Sequence, residues 1–156
     1  PPASPLGPGG ARPRVYNVGV AAAPAAEPHG LSAAGIAAAA VWDECVGYAV
    51  TKGADLETFN GLAGVGDLLA TVMASGSRNR RAGELLGKGS APEQIRETIG
   101  QASEALDSVP QIAATVAAAG CPATALTGLA DLATGTISSD EWVAALRRSG
   151  HSRRAA

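Results

Sequence analysis

The stretch TFNGLAGVGDLLATVMASGSRNRRAGELLGKG (residues 58–89) sets Asp67 and Arg78 among glycines, in a sequence otherwise dominated by alanine. Ser77 precedes a run of good helix formers, and serine is a favoured N-cap residue. The free N–H groups of a first helical turn and the helix dipole both favour an anion there. Arg78 adds a planar fork of donors that matches a phosphate or carboxylate, and Asn79 adds a donor and an acceptor. The stretch therefore predicts short helices joined by glycine turns, with an anion site at the start of the helix that follows Ser77.

Neighbouring features of this stretch have ordinary structural explanations. Arg80 and Arg81 follow in the same predicted helix, and we interpret both as solvated surface side chains. The spacing Gly64-x-Gly66 is not half of a dinucleotide fingerprint, because no buried strand precedes it. We therefore expect the functional residues to be Asp67 and those that begin the helix after Ser77.

The order and spacing of these residues resemble the C-terminal, substrate-binding domain of NAD(P)-dependent glycerol-3-phosphate dehydrogenases of the bacterial type. The resemblance rests on ETFxGLAGxGDL (residues 57–68), Thr71 and SRNR (residues 77–80), followed by glycines in the family's order. Weaker similarity runs from about Tyr16 to about Leu146. The resemblance implies an all-α fold like the C-terminal domain of 6-phosphogluconate dehydrogenase, with no Rossmann domain in this chain.

The resemblance also implies roles for individual residues. Those implied to bind substrate are Asn17, Asp67, Thr71, Ser77, Arg78 and Asn79. The cofactor, NAD or NADP, is implied to lie near Arg78 and Glu104 and to be bound mainly by a domain absent from this chain. Glu104 has a second explanation, because an acid in a first helical turn complements the helix dipole. No metal site is implied.

Tyr16 stands where the family has its catalytic lysine, directly before Asn17 and Val18. A tyrosine can donate a proton, so Tyr16 is a candidate for the catalytic acid. It lacks the positive charge that would stabilise a developing alkoxide. A divergent upstream segment, with Pro24 and Pro28 where the family is glycine-rich, is the alternative explanation.

The composition limits the class of protein. The 156 residues, 46% of them hydrophobic, suffice for one compact domain and are too few for two ordinary ones. A net charge of −2 provides no field for nucleic acid or an anionic membrane, and no nucleic-acid partner is expected. No run of about 18 uninterrupted apolar residues occurs, so no membrane span is expected. Alanine-rich helices permit a homodimer without indicating one.

Residues 1–14 are predicted to be a disordered leader rich in Pro and Gly, residues 15–149 a helical domain, and residues 150–156 a basic tail. Cys45 and Cys121 have neither disulfide nor zinc-site spacing, which fits a reducing, cytoplasmic setting. His29 and His151 have no partner at the spacing of metal ligands or a catalytic triad, and we assign them no role.

Apolar spacing and capping residues predict the positions of the helices. The predicted ranges are 32–50, 55–59, 67–74, 77–87, 90–99, 103–119, 124–133 and 138–148. Ser90 and Ser138 are each followed three residues later by a glutamate and are expected to open capping boxes. Pro24 is expected to break the apolar run before it, and Pro110 to kink or divide its helix. Because no alternating pattern of strand length occurs, the predicted fold class is all-α.

Two functions remain open. In the first, the chain is the substrate domain of a glycerol-3-phosphate dehydrogenase. That enzyme transfers a hydride reversibly between dihydroxyacetone phosphate and sn-glycerol 3-phosphate and feeds glycerophospholipid synthesis. Such chemistry requires a phosphate clamp, a proton source and exclusion of water, with the nucleotide-binding domain supplied in cis or in trans. In the second, the chain is a truncated or decayed helical module that binds a phosphate ligand or dimerises.

Overall fold

The computed structural model describes the backbone of residues 11–100 and 104–154, and within these ranges every regular element is helical. The all-α prediction is confirmed. The helices are α1 (Ala11–Ala26), α2 (Leu31–Thr51), α3 (Leu56–Asn60), α4 (Asp67–Met73), α5 (Arg78–Gly87), α6 (Pro92–Ile99), α7 (Glu104–Ala118), α8 (Thr124–Ala133) and α9 (Ser139–Arg154). A 3₁₀ turn (Glu27–His29) joins α1 to α2, and a π-helical turn (Leu62–Gly66) leads into α4.

Helix α1 lies at the centre of the domain. Residues 18–26 are all buried, and α2, α4, α5, α7 and α9 pack against this helix. A helix that is apolar on every side is stable only when its neighbours cover every side. The helix begins at Ala11, inside the stretch predicted to be a disordered leader. The predicted domain boundaries stay predictions.

Helices α1 and α5 run parallel in a regular register. Asn17 contacts Asn79 across a separation of 62 residues, and the next two pairs at the same separation are Ala21 with Gly83 and Ala25 with Gly87. A Cβ atom on Gly83 would lie 2.2 Å from the carbonyl oxygen of Ala21, and one on Gly87 would lie 2.8 Å from that of Ala25. Only glycine permits this approach.

The expected break at Pro24 was wrong, because α1 continues through it to Ala26. An internal proline costs a helix roughly 3 kcal/mol, but packing on all sides of α1 outweighs that cost. Pro28 does follow the end of the helix, as expected. Pro110 likewise lies inside α7, which runs undivided from Glu104 to Ala118.

The capping predictions had different outcomes. Asp55 accepts from the backbone N–H of Glu57 at the start of α3, and Ser138 exchanges hydrogen bonds with Glu141 as a capping box requires. The box at Ser90 was wrong, because α6 begins one residue later. There the backbone N–H of Ala91 donates to Gln94 Oε1 at 3.2 Å.

A buried carboxylate fixes helix α8. Glu44 of α2 is 5% exposed, and its two oxygens accept from the backbone N–H groups of Ala125 and Leu126, both at 2.9 Å. These are free donors of the first turn of α8, where a negative charge is favoured. Trp142 of α9 donates from Nε1 to the carbonyl of Ala125 at 3.2 Å. The core therefore joins α2, α8 and α9 at one point.

His29 has partners that the sequence analysis did not find. Its Nε2 lies 3.3 Å from Ser139 Oγ, and its Nδ1 lies 3.5 Å from Asp140 Oδ1. These residues are 110 positions or more away, so no local spacing reveals them. His29 thereby connects the 3₁₀ turn to the start of α9.

Helix α2 is long and apolar enough, by length and composition alone, to cross a membrane. One side of it is buried in the core through Trp42, Cys45 and Tyr48. A core helix passes the same test, so this property is not evidence of a span. Burial, with the charge of Glu44 beside it, raises the pKa of the Cys45 thiol to about 12, so that thiol is an inert apolar side chain.

We expect Gly83→Ala to lower the free energy of unfolding by about 1–3 kcal/mol or more, because its methyl group would overlap the carbonyl of Ala21. Gly76→Ala is the matched control, since a Cβ there meets nothing within 4 Å, and its effect should stay within about 0.5 kcal/mol. Urea denaturation monitored by circular dichroism measures both. Equal stability of the two variants would contradict the described contact.

Candidate functional site

Asn79 joins three segments that carry predicted site residues. Its Nδ2 donates to Asn17 Oδ1 in α1 at 2.7 Å, and its Oδ1 accepts from the backbone N–H of Ala105 in α7 at 3.1 Å. Both ends of the half-buried amide are therefore bound. This side chain positions Asn17 directly and holds the first turn of α7, which begins at Glu104.

Ser77 is the N-cap of α5, as predicted. Its Oγ accepts from the backbone N–H of Arg80 at 3.3 Å, and its own N–H donates to the carbonyl of Ala74 at 3.2 Å. Arg78 is the first residue of the helix, and its side chain is exposed. The guanidinium thus stands at the electropositive end of α5.

Arg80 connects α5 to α4. Its Nη1 donates to the carbonyl of Val72, and its Nε donates to Glu84 Oε1 at 3.0 Å. The interpretation of Arg80 as a solvated arginine was wrong, since only 25% of the side chain is exposed. Arg81 is 52% exposed and pairs with the other oxygen of Glu84 at 3.1 Å. Arg80 therefore holds the last turn of α4 against the first turn of α5.

Asp67 and Thr71 lie one turn apart on α4, as predicted. Thr71 Oγ1 donates to the carbonyl of Asp67 at 2.8 Å, so its hydroxyl retains only acceptor capacity. The carboxylate of Asp67 is exposed. Leu68 beside it packs on α1, where a Cβ at Gly19 would lie 2.9 Å from Leu68 Cδ1.

Described hydrogen bonds join Asn17 to Asn79 and Thr71 to Asp67. We group the predicted substrate residues under the name site junction, and their shared role stays a prediction. The site junction consists of Asn17 on α1, Asp67 and Thr71 on α4, and Ser77, Arg78 and Asn79 at the start of α5. Tyr16 and Glu104 belong to the backbones of α1 and α7, but their side chains lie outside the described residues. Their predicted roles stay predictions.

Asp67 and Arg78 are exposed, whereas Asn17, Thr71, Ser77 and Asn79 are half-buried. Cavities of about 510, 790 and 530 Å³ are lined by other described residues. Among the described residues no group of three or more His, Cys, Asp or Glu side chains has the arrangement of a metal site. The exposed Arg78 at the start of α5 can therefore bind an anion.

The spacing of small residues is a sequence signal that could have revealed the role of Asn79. Small residues recur every fourth position on both helices, after Asn17 in α1 and after Asn79 in α5. Such spacing marks faces that approach closely, and it aligns the two asparagines. The role of Arg80 has no comparable signal, because its partner is a backbone carbonyl.

Comparison with known proteins gives a consistent result. The family model for the C-terminus of NAD-dependent glycerol-3-phosphate dehydrogenase matches residues 9–144. The chain is similar to glycerol-3-phosphate dehydrogenase (NAD(P)+) of Leifsonia xyli subsp. xyli, with 38% identity over 94 residues, which cover 60% of this chain and 26% of that protein. Over 55 residues it is 56% identical to the Corynebacterium glutamicum (strain R) protein of the same name, covering 35% of this chain and 17% of the relative.

A solved structure is also similar. The crystal structure of glycerol-3-phosphate dehydrogenase from Coxiella burnetii aligns with a TM-score of 0.73 and 26% sequence identity. The alignment covers 86% of this chain and 42% of the solved chain. The chain thus spans about a quarter or less of the two curated relatives and under half of the solved one.

We expect Asn79→Ala to lower the free energy of unfolding by about 1–3 kcal/mol, because the N–H of Ala105 and the Oδ1 of Asn17 both lose this partner. Asn79→Asp keeps the acceptor for Ala105 but cannot donate to Asn17, so its loss should be smaller than that of the alanine variant. Gln111→Ala on the exposed side of α7 is the control, with an effect within about 0.5 kcal/mol. Thermal and urea unfolding without ligand report the result, and an unaffected Asn79→Ala variant would contradict the bridge.

The ion pairs of Glu84 with Arg80 and Arg81 predict that the free energy of unfolding depends on pH. Burial alone would raise its pKa, but the hydrogen bonds and charges of Arg80 and Arg81 outweigh burial and hold the pKa below its ordinary value of 4.5. A lowered folded-state pKa stabilises the native state above pH 4.5, and this contribution is lost as pH falls through the folded value.

The stability difference between wild type and Glu84→Gln should therefore be largest near neutral pH and shrink on acidification below pH 4.5. Urea denaturation at a series of pH values measures it, with Glu97→Gln on the exposed side of α6 as the control. A difference that stays constant across the series would show that the two arginines do not act through the charge of Glu84.

Proposed function

We infer the function from the premise that the chain belongs to the NAD-dependent glycerol-3-phosphate dehydrogenase family, as that family's C-terminal domain. We propose that it is the substrate-binding domain of a glycerol-3-phosphate dehydrogenase that uses NAD or NADP. In the proposed reaction a hydride passes reversibly between the nicotinamide and carbon 2 of a three-carbon phosphate. Dihydroxyacetone phosphate and sn-glycerol 3-phosphate are thereby interconverted, in the cytoplasm and in the service of glycerophospholipid synthesis.

The start of α5 is the observation that carries the proposal. Ser77 fixes the first turn, Arg78 is exposed at its first position, and Arg80 anchors the turn to α4. The phosphate of the substrate binds the free N–H groups of this turn and the fork of Arg78. Because the turn is already held by Asn79 and Arg80, little ordering accompanies binding.

The remaining junction residues bind the hydroxyl and carbonyl end of the substrate. The Asp67 carboxylate accepts hydrogen bonds from substrate hydroxyls, and Thr71 supplies a second acceptor, since its proton is engaged by the Asp67 carbonyl. Asn17 and Asn79 present amides whose orientation is set by their mutual contact. Helix α5 thus binds the charged end and α4 the neutral end.

Hydride transfer needs parts that the described helices do not provide. Within them no strand leads into a glycine-rich turn, the element that binds the pyrophosphate of the cofactor. A nucleotide-binding domain in cis or in trans would hold the cofactor, which when bound would supply or accept the hydride. Tyr16 would hold the proton for the carbon 2 oxygen, and Arg78 and Glu104 would contact the cofactor.

A helical module without catalysis is the second candidate. Tyr16 in place of the family's lysine favours it, because a neutral phenol does not stabilise a developing alkoxide as a cation does. Such a module keeps the anion site of α5, for binding a phosphate ligand, or keeps a dimer contact. Binding of the substrate alone does not separate the two candidates, whereas turnover with an added nucleotide-binding domain does.

We expect isothermal titration calorimetry to detect sn-glycerol 3-phosphate binding to the chain and Arg78→Ala to weaken it about 10- to 100-fold, the range for a charge-assisted hydrogen bond. Arg81→Ala removes an arginine from the same helix that pairs with Glu84, and its affinity should stay within about threefold of wild type. Glycerol, which lacks the phosphate, should not bind.

Equal affinities of wild type and Arg78→Ala, or no binding by wild type, would show that the site assignment is wrong. A loss caused equally by Arg81→Ala would point to the net charge of α5 as the source of affinity. Arg78→Lys adds a test of geometry, since lysine keeps the charge but loses the planar fork.

A further inference from the structure

The turn that leads into α4 is wider than an α-helical turn. It spans Leu62–Gly66, and we call it the π turn. The N–H of Gly66 donates to the carbonyl of Gly61 at 3.4 Å, and the N–H of Asp67 donates to the carbonyl of Leu62, each across five residues instead of four. Turns of this kind are rare and are frequently found at functional sites. Here the first residue after the turn is Asp67, a predicted substrate residue.

Gly64 is the residue that permits the π turn. Its backbone is buried and lies against the carbonyl group of Phe59, so a Cβ atom on Gly64 would overlap that carbonyl oxygen. Gly66 lies in the same turn without this restriction, because the nearest atom to a Cβ there is Leu62 Cδ2 at 3.7 Å, an ordinary van der Waals distance. Neither glycine has a positive φ angle. Close approach to Phe59 therefore separates the two glycines, and only Gly64 is required.

The chain is fixed in the core on both sides of the π turn. Before it, the buried ring of Phe59 packs edge-on against Trp42, with ring centroids 5.9 Å apart. After it, the buried Leu68 packs on α1, where a Cβ on Gly19 would lie 2.9 Å from Leu68 Cδ1. Asp67 lies between these two anchors. The path of the chain from Phe59 to Leu68 consequently sets the place of the Asp67 carboxylate.

We propose that Gly64 is a positioning residue of the substrate site. By letting the π turn close against Phe59, it sets where α4 presents Asp67 to the hydroxyl end of the substrate. This inference rests on the proposed function and deepens it. A side chain at position 64 must displace either the Phe59 carbonyl or the π turn, and Phe59 is held in a closely packed core. The π turn is therefore displaced, and a shift of about 1 Å is enough to lose a positioned contact.

The phosphate end of the site is held by other contacts. Asn79 ties the start of α5 to Asn17 of α1 and to the backbone of Ala105 in α7. These two ties do not pass through α4, and Arg80 contacts α4 only at Val72, near the end of that helix. A substitution at position 64 should therefore impair recognition of the hydroxyl end and spare the phosphate end.

NMR titration followed at the backbone amides of residues 78–80 tests this proposal, with sn-glycerol 3-phosphate and inorganic phosphate as the two probes. We expect Gly64→Ala to weaken sn-glycerol 3-phosphate binding about 10- to 100-fold, the range for a hydrogen bond to a charged group. Its affinity for inorganic phosphate should stay within about threefold of wild type. Gly66→Ala is the matched control, and both of its affinities should stay within about threefold of wild type.

A double variant shows whether the effect acts through Asp67. In the Gly64→Ala background, Asp67→Ala should cause no further loss of sn-glycerol 3-phosphate affinity, because the contact is already lost. Dispersed amide spectra establish that each variant is folded. Should Gly64→Ala not fold, Phe59→Leu takes its place, because it keeps an apolar side chain but removes the ring contact that holds the same carbonyl. It should weaken binding of sn-glycerol 3-phosphate and not of inorganic phosphate.

Each contrary result has a distinct meaning. Equal binding of sn-glycerol 3-phosphate by wild type and the folded position-64 or position-59 variant would overturn the inference and leave the proposed function intact. An equal loss for both probes would also overturn it, since the whole site would then be damaged, as would additive losses from Gly64→Ala and Asp67→Ala. If wild type binds neither probe, the proposed function fails and this inference fails with it.

Discussion

The close parallel contact between α1 and α5 is the constraint on which the rest of the structure depends. At Gly83 and Gly87 the helices meet so closely that a single methyl group would collide with a carbonyl oxygen of α1. The same register brings Asn79 onto Asn17 one turn earlier. Since α1 is covered on all sides, the helices around it take their positions from this core, and the start of α5 is fixed with them.

Because the start of α5 is held in place, its first three residues have different roles. Arg78 faces solvent, Asn79 ties α5 to α1 and α7, and Arg80 ties it to α4. The exposed guanidinium therefore stands on a helix end that is held on three sides. Rigid support of this kind is what a binding site needs, because affinity is lost when groups must be ordered on binding.

Helix α4 carries two predicted substrate residues and two exposed apolar side chains. Asp67 and Thr71 contribute to the junction, whereas Leu69 and Met73 are exposed on the apolar side. A helix of seven residues has little capacity to move one side without the other, so the position of Asp67 depends on the packing of the whole helix.

The sequence by itself determined the elements whose causes are local. Asp55, Ser77 and Ser138 cap the helices they were expected to open, because a cap needs only an acceptor within three residues of a free N–H group. The all-α class and helices α2 to α9 followed from periodicity and from the absence of strand patterns, whereas the central helix α1 was not among the predicted helices. The residues of the candidate site came from the resemblance, and the sequence did not reveal that Asn79 ties Asn17 to the start of α7.

Tertiary structure decided every feature that depends on a distant partner. Pro24 stays inside α1 because neighbouring helices cover it, and Glu44 caps α8 from 81 residues away. His29 reaches Ser139 across 110 residues, and Arg80 finds a backbone carbonyl that no side-chain pattern records. In each case the free energy comes from burial and hydrogen bonds formed only when the helices pack, so local propensity carries no trace of it.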